Sequence, residues 1–376
     1  MKICFTGDLF LGGDLLNKNI KNLINVNIFN NADKRIVNLE QAISESNIVE
    51  NKGTLYTGKN SIKQLHDLKV DAVNLAHNHI QDKGLEGIVE TISYLRDSHI
   101  GFFGAGSNII ESKKSFSLND QLVVIGYCEF DKIYLNQIEV AGESKAGVNP
   151  LRYDSIISDL EKLDKNQKAI LYFHWGREHV SLPLYQDIQL VKKLLRDERV
   201  LTIIGMHPHR PQGIVKVNGK KAFMSLGNFL FPNFFIKPPT QIFYPESLPK
   251  KYSVTRQYHK VFGITYKKWR LINRISIVLS YDTEINKVIY NFVKQNDIYP
   301  EVKDVKGFLN ILLKLHVFIL SSLYKLPSYL YVPLEKVNTY IVYKYWNFNI
   351  QLFNFRQLGL VKFCKKVIKI VKRKLF

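Results

Sequence analysis

From residue 1 to about 235, short apolar runs each end in a cluster of glycine or polar residues. The runs are KICFTGD, RIVNLE, VDAVNLAHNH, IGFFGAG, LVVIGYCEF, KAILYFHWG, VLTIIGMHPH and KAFMSLGNF. Between them, GLEGIVETISYLRDSH and YQDIQLVKKLLRDER space apolar residues three and four apart, the period of a half-buried helix. Strands alternating with helices predict an α/β fold with much parallel sheet. Residues 237–260 break the pattern with Pro238, Pro239, Pro245 and Pro249 and predict a long surface loop. RISIVLSYD and KVIYNFVKQ, within 274–295, nearly alternate and predict a β-hairpin. Beyond about residue 303 the pattern turns helical. The expected organisation is a main domain over 1–300 and a basic, apolar helical extension over 301–376.

In a largely parallel sheet, ligands gather just beyond the strand ends. Asp8, Glu40, Asn78, His79, His174, His207 and His209 all fall there. Each also has a plainer reading. Asp8 in GDLFLGG suits a turn aspartate bonded to its own backbone. An acid such as Glu40, closing a buried run, is costly unless paired or bound to a cation. In NLAHNHIQDKG, Asn78 serves equally as a helix cap or as an amide ligand beside His79. His174 in YFHWGREH reads as a core histidine or a ligand. In GMHPHRPQG, Pro208 stiffens the segment. An extended backbone there would turn His207 and His209 to the same side. Asn228, in SLGNF, follows a further apolar run.

Composition narrows the class. The chain has 376 residues, 46% hydrophobic and 23% charged, ordinary for a folded soluble protein. Three scattered cysteines, Cys4, Cys128 and Cys364, argue against a disulfide framework and for a reducing compartment. MKICFTGDLFLGG lacks the apolar core of a signal peptide, and no apolar run reaches the roughly 18 residues of a spanning helix. A cytoplasmic protein, peripheral on the inner membrane face, is expected. The net charge is +20, and residues 301–376 alone carry 14 Lys and Arg against Glu301, Asp304 and Glu335. That asymmetry points to an appendage meeting an anionic surface. VKFCKKVIKIVKRKLF, residues 361–376, sets Lys362, Lys365, Lys366, Lys369, Lys372 and Arg373 around an apolar face, suiting an anionic bilayer or a helix packed on the domain. No nucleic-acid motif accompanies the charge, so nucleic acid is disfavoured as a partner.

The ordered set GDLFLGG, NLE, LAHNH with D-x-G, GAG, HWGRE, GMHPH and SLGNF resembles the CapA family of poly-γ-glutamate capsule biosynthesis proteins, over roughly residues 1–235. The resemblance implies a metallophosphoesterase (calcineurin-like) sandwich of mixed β-sheets flanked by helices. It implies one or two divalent ions held by Asp8, Glu40, Asn78, His174, His207 and His209, with Glu40 bridging and Asp8 and His79 catalytic. These mixed ligands suit Mn, Fe or Zn better than Mg. Arg177, Arg210 and Asn228 are the expected contacts to an anionic polymer or phosphoester substrate, and capsule-synthesis machinery is the expected partner. A metal-binding assembly factor without turnover would carry the same motifs. The chain departs from the family pattern at Gly13, His77, His179 and Met206, and Phe10 stands where the general phosphoesterase Asp-x-His has its histidine.

Overall fold

The computed structural model describes residues 1–50, 53–130, 132, 138–236 and 265–375. The loop expected over 237–260 lies outside the described residues. Two compact units divide the chain, Met1–Leu326 and Pro327–Phe376.

The first unit is built on two sheets. One has nine strands, in the order Ile24–Asn25, Val302–Asp304, Lys287–Gln295, Ile275–Asp282, Lys2–Leu9, Lys34–Leu39, Ala72–Asn74 and Gly101–Phe103, with Asn228–Leu230 also paired to Lys2–Leu9. The other has six, in the order Ile214–Val217, Lys220–Phe223, Val200–Met206, Lys168–His174, Leu122–Cys128 and Phe116–Asn119. The pairings that carry the motif strands are parallel, and the expected hairpin is present as Ile275–Asp282 and Lys287–Gln295.

Strand alternation sorts the apolar residues into two cores. Ile3, Phe5 and Ile36 of the first sheet meet Val124, Ile170, Tyr172 and Ile204 of the second in one core between the sheets. Cys4, Val37 and Val73 face the other way and pack with Ile88, Ile92 and Leu95 of the helix Gly84–Asp97. The result is an α/β sandwich with helices outside the sheets.

The expected boundary at residue 301 falls inside this unit. Val302–Asp304 completes the edge of the nine-stranded sheet. The helix Gly307–Leu323 buries Leu313, Val317 and Leu320. Ser321 Oγ and Tyr324 Oη at its end accept hydrogen bonds from the backbone of Ile214 and Gly213, at 2.8 and 2.9 Å. Apolar burial and these bonds attach the helix to the six-stranded sheet. In the second unit, the helical stretch Ser328–Leu375 is broken at Gly359, whose φ of 68° and ψ of 168° are not helical. No helix among the described residues is long and apolar enough to cross a membrane.

Asp8 lies within its strand rather than in the turn after it. Between Phe5 and Asp8 the strand carries an extra residue relative to Lys34–Leu39. A Cβ at Gly7 would sit 1.8 Å from the Gly227 carbonyl oxygen, so only glycine admits this approach of the two chains. Gly7→Ala is expected to destabilise the protein by on the order of 3 kcal/mol. A urea melt with a lowered midpoint and unchanged slope would report it; an unchanged midpoint would show that the strand yields freely.

Candidate metal centre

Four polar residues lie directly opposite one another on neighbouring parallel strands: Asn74, Asn38, Asp8 and Asn228. Parallel register stacks them into a row. Asn74 Nδ2 donates to Asn38 Oδ1 at 2.7 Å, and Asn38 Nδ2 donates to Asp8 Oδ1 at 2.9 Å. His209 closes the row, its Nδ1 lying 3.1 Å from Asp8 Oδ2 and 2.9 Å from Asn228 Oδ1. Two oxygen acceptors at Nδ1 hold the proton there and leave the lone pair on Nε2. That Nε2 is 3.6 Å from Glu40 Oε1.

The other ligands arrive from the six-stranded sheet and one turn. His174 is the last residue of Lys168–His174, and His207 follows Val200–Met206. Their ring centroids are 4.7 Å apart. Asn78, in the turn after Ala72–Asn74, brings Oδ1 to 2.8 Å from His174 Nε2. The extended geometry expected for GMHPH is not found: φ is +93° at His207 and +54° at His209. Such values are uncommon outside glycine, and they aim the two rings at different neighbours.

Two groups of ligand atoms result, Glu40–His174–His207 and Asp8–Glu40–His209, each with its atoms within 4.8 Å of one another. Glu40 belongs to both. Both Glu40 carboxylate oxygens, both His207 ring nitrogens and His174 Nδ1 are buried and make no hydrogen bond among the described residues. Burial, reinforced by Asp8, pushes the Glu40 carboxyl well above the usual carboxylate range. Burial holds His207 down at about 4, and burial with neighbouring His207 lowers His174 further than usual, so both imidazoles are neutral at pH 7. Neutral imidazoles and an uncompensated buried carboxylate fit a divalent cation, which would satisfy these atoms and reverse the penalty on Glu40.

The remaining expected residues lie nearby in differing roles. His79 Nδ1 is 2.6 Å from Asp82 Oδ2. Arg177 Nη2 reaches the Leu182 carbonyl at 3.5 Å, and Arg210 Nη1 donates to Ser181 Oγ at 2.7 Å. Arg210 is lowered to about 10 by burial and by Arg270. Phe10 packs with Leu55, Phe231, Phe234 and Trp269, and Met206 lies in the core between the sheets.

Several residues here were missed from sequence. Asn38 and Asn74 sit within apolar runs, where only strand register reveals them. Lys267 and Glu178 act at longer range: each contributes electrostatically to Glu40. Lys267 Nζ lies 4.3 Å from the centre of the Trp269 ring, which is itself 5.3 Å from the His209 ring. Lys267 adjoins the proline-rich segment, and no local motif marks it.

Sheets packed face to face, with carboxylate, amide and imidazole groups gathered at their strand ends, define an α/β sandwich with a candidate metal centre. The model of the family described as bacterial capsule synthesis protein PGA_cap matches residues 2–233, and the chain belongs to that family. It is similar to the PGA biosynthesis protein CapA of Bacillus subtilis (strain 168), at 28% identity over 182 residues, 47% of each chain. The capsule biosynthesis protein CapA of Bacillus anthracis is 26% identical over 176 residues, 46% of this chain and 42% of that one. A probable polyglutamine synthesis accessory protein of Mycobacterium tuberculosis is 23% identical over 212 residues, 52% of this chain and 55% of that one. The chain thus spans about half the length of the curated relatives it matches.

Removing the Glu40 charge separates its cost from its use. In chelator, Glu40→Gln is expected to melt above the parent, because a buried unpaired carboxylate is gone. With a divalent ion added, the order should reverse as the parent gains ligand stabilisation that the variant lacks. Differential scanning fluorimetry in both conditions reads this, and a variant that melts lower in chelator would show that Glu40 is satisfied without a cation.

Proposed function

We propose that this protein acts in the synthesis of an anionic capsule or surface polymer, poly-γ-glutamate or an exopolysaccharide, through a metal-dependent hydrolase site of phosphoesterase type. The observation that carries the reading is the pair of ligand groups sharing Glu40, with both Glu40 oxygens, both His207 nitrogens and His174 Nδ1 making no hydrogen bond among the described residues. Asp8, Glu40 and His209 would hold one ion; Glu40, His174 and His207, with Asn78, the other. When bound, such ions supply a Lewis acid and lower the pKa of a coordinated water. The chain's own residues do the rest. Asn38 and Asn74 fix the Asp8 carboxylate, and Asn228 fixes the His209 ring. Asp82 anchors His79 at Nδ1, so a proton transferred by this ring passes through Nε2. Lys267 adds positive charge on the side of Glu40, where an anionic substrate would approach. The donor set suits Mn, Fe or Zn.

A metal-binding assembly factor without turnover is the second reading, and Phe10 favours it. An aromatic core residue occupies the position at which phosphoesterases of this type carry a histidine. Elemental analysis of the purified chain tests the site. Asp8→Ala and His207→Ala should each lose bound metal, and metal content like the parent's in both variants would sink the proposal. Turnover on a panel of phosphoesters and capsule polymer then separates the hydrolase from the binding factor.

An anionic membrane surface is the partner proposed for the C-terminal region. The helix Gly307–Leu323 leaves Phe308, Ile311 and Phe318 at 74%, 62% and 67% exposure, opposite the face that it buries. The basic side chains of 361–376 assigned to the same surface, Lys362, Lys365, Lys366, Lys369, Lys372 and Arg373, lie outside the described side chains. Apolar residues flanked by cations are the pattern of an interfacial helix. The triple variant Ile311→Ser, Leu315→Ser and Phe318→Ser is expected to lower partitioning onto phosphatidylglycerol-containing vesicles by about tenfold or more. Sedimentation equal to the parent's would remove the helix from the membrane contact.

A further inference from the structure

The N-terminal ends of the strands whose C-terminal ends carry the ligands form a second concave surface. A cleft of about 710 Å³ opens there, lined by Lys168, Lys220, Lys221 and Lys287 together with amides that include Asn119 and Gln121. Lys168 and His174 are the first and last residues of one seven-residue strand. The cleft therefore lies about 20 Å from the metal centre.

Its chemistry is one-sided. No Asp or Glu lines the cleft among the described residues. Lys168 Nζ, Lys220 Nζ and Lys221 Nζ donate to the backbone carbonyls of Glu198, Asp197 and Val288, at 3.0, 2.6 and 3.4 Å. The charges of Asp197 and Glu198 both reach Lys220, and Asp197 is already clamped by Arg199 at 3.0 and 2.7 Å. The cations also repel one another: after burial, Lys168 is the next cause holding Lys220 down, and Lys216 and Lys287 act likewise on Lys221. Gathering like charges in one hollow costs stability unless an anion enters. Isolated ammonium groups among amide donors, without the paired fork of an arginine, act as point charges and suit single anionic groups spaced along a chain; the reading of an anionic capsule polymer makes those groups carboxylates. The volume admits several residues of such a chain rather than one small anion.

We propose that this cleft binds a segment of a linear polycarboxylate, holding the polymer away from the metal centre. The assignment rests on the reading that the protein handles an anionic capsule polymer, but its test does not require turnover. Fluorescence anisotropy of a labelled γ-linked oligoglutamate is measured with the full chain in chelator, at about 0.15 M salt. The cleft variant Lys168→Gln, Lys220→Gln and Lys221→Gln should weaken binding by about tenfold. A control that removes equal charge elsewhere, Lys21→Gln, Lys63→Gln and Lys114→Gln, should weaken it by less than about threefold. Equal losses in both variants would assign the binding to overall charge and overturn the cleft, as would no binding by the parent. Polyphosphate competing much better than oligoglutamate would overturn the carboxylate assignment. Metal content of the cleft variant should match the parent's, so failure here and failure of the metal site read out separately.

Discussion

The first strand carries one residue more than its neighbour between Phe5 and Asp8: Phe5 lies opposite Ile36, and Asp8 opposite Asn38. Phe5 and Ile36 face the core between the sheets, whereas Cys4 and Val37 face the helices. Strict alternation from Phe5 would turn Asp8 toward the helices. The extra residue returns it to the side of Asn38, and the bulge fits because Gly7 has no side chain to meet the Gly227 carbonyl. The centre depends on this turn of one carboxylate. Asp8 completes one ligand group, helps to set the proton on His209, and adds to the charge that makes Glu40 costly to bury.

Those arrangements are expensive in a fold judged on stability alone. Glu40 and Asp8 are both fully buried, and His207 and His209 hold backbone angles that most side chains avoid. The amide row limits the cost without adding charge. An amide both donates and accepts, so Asn38 can accept from Asn74 while donating to Asp8. A carboxylate at position 38 would face Asp8 with no proton to give, and an apolar residue would leave Asp8 Oδ1 without this donor. The row is therefore specific to amides, not merely to polar residues.

Much of this was legible in the sequence because its logic is local. An apolar run followed by a polar cluster marks a strand end wherever it occurs, and it singles out Asp8, Glu40, Asn78, His174, His207 and His209 as candidates. What escaped depends on neighbours distant in sequence. Asn38 and Asn74 stand inside apolar runs and acquire a partner only when Lys2–Leu9, Lys34–Leu39 and Ala72–Asn74 pair in register. The His-x-His segment misled because the alternation rule holds only for extended backbone, and two left-handed residues replace it with a kink. The boundary at 301 misled because composition changes there while the sheet does not end until Asp304.

Parallel strands also explain why the two ends of one sandwich differ so sharply in chemistry. Every motif strand enters at one edge and leaves at the other, so residues that begin strands and residues that end them form separate surfaces. His174 ends the strand that Lys168 begins, and His207 follows the strand that Val200 begins at the cleft. The ligand edge is drawn inward, with its carboxylates and imidazoles buried. The lysine edge stays half open, and the ammonium groups of Lys168, Lys220 and Lys221 donate to backbone carbonyls. Charge held by a carbonyl rather than a carboxylate is not neutralised, so the lysine edge keeps its field in solvent. Counter-ions screen that field in solvent over about 8 Å at physiological ionic strength. No residue lining the cleft belongs to either ligand group, so an anion at the lysine edge and a cation at the Glu40 centre would share no ligand.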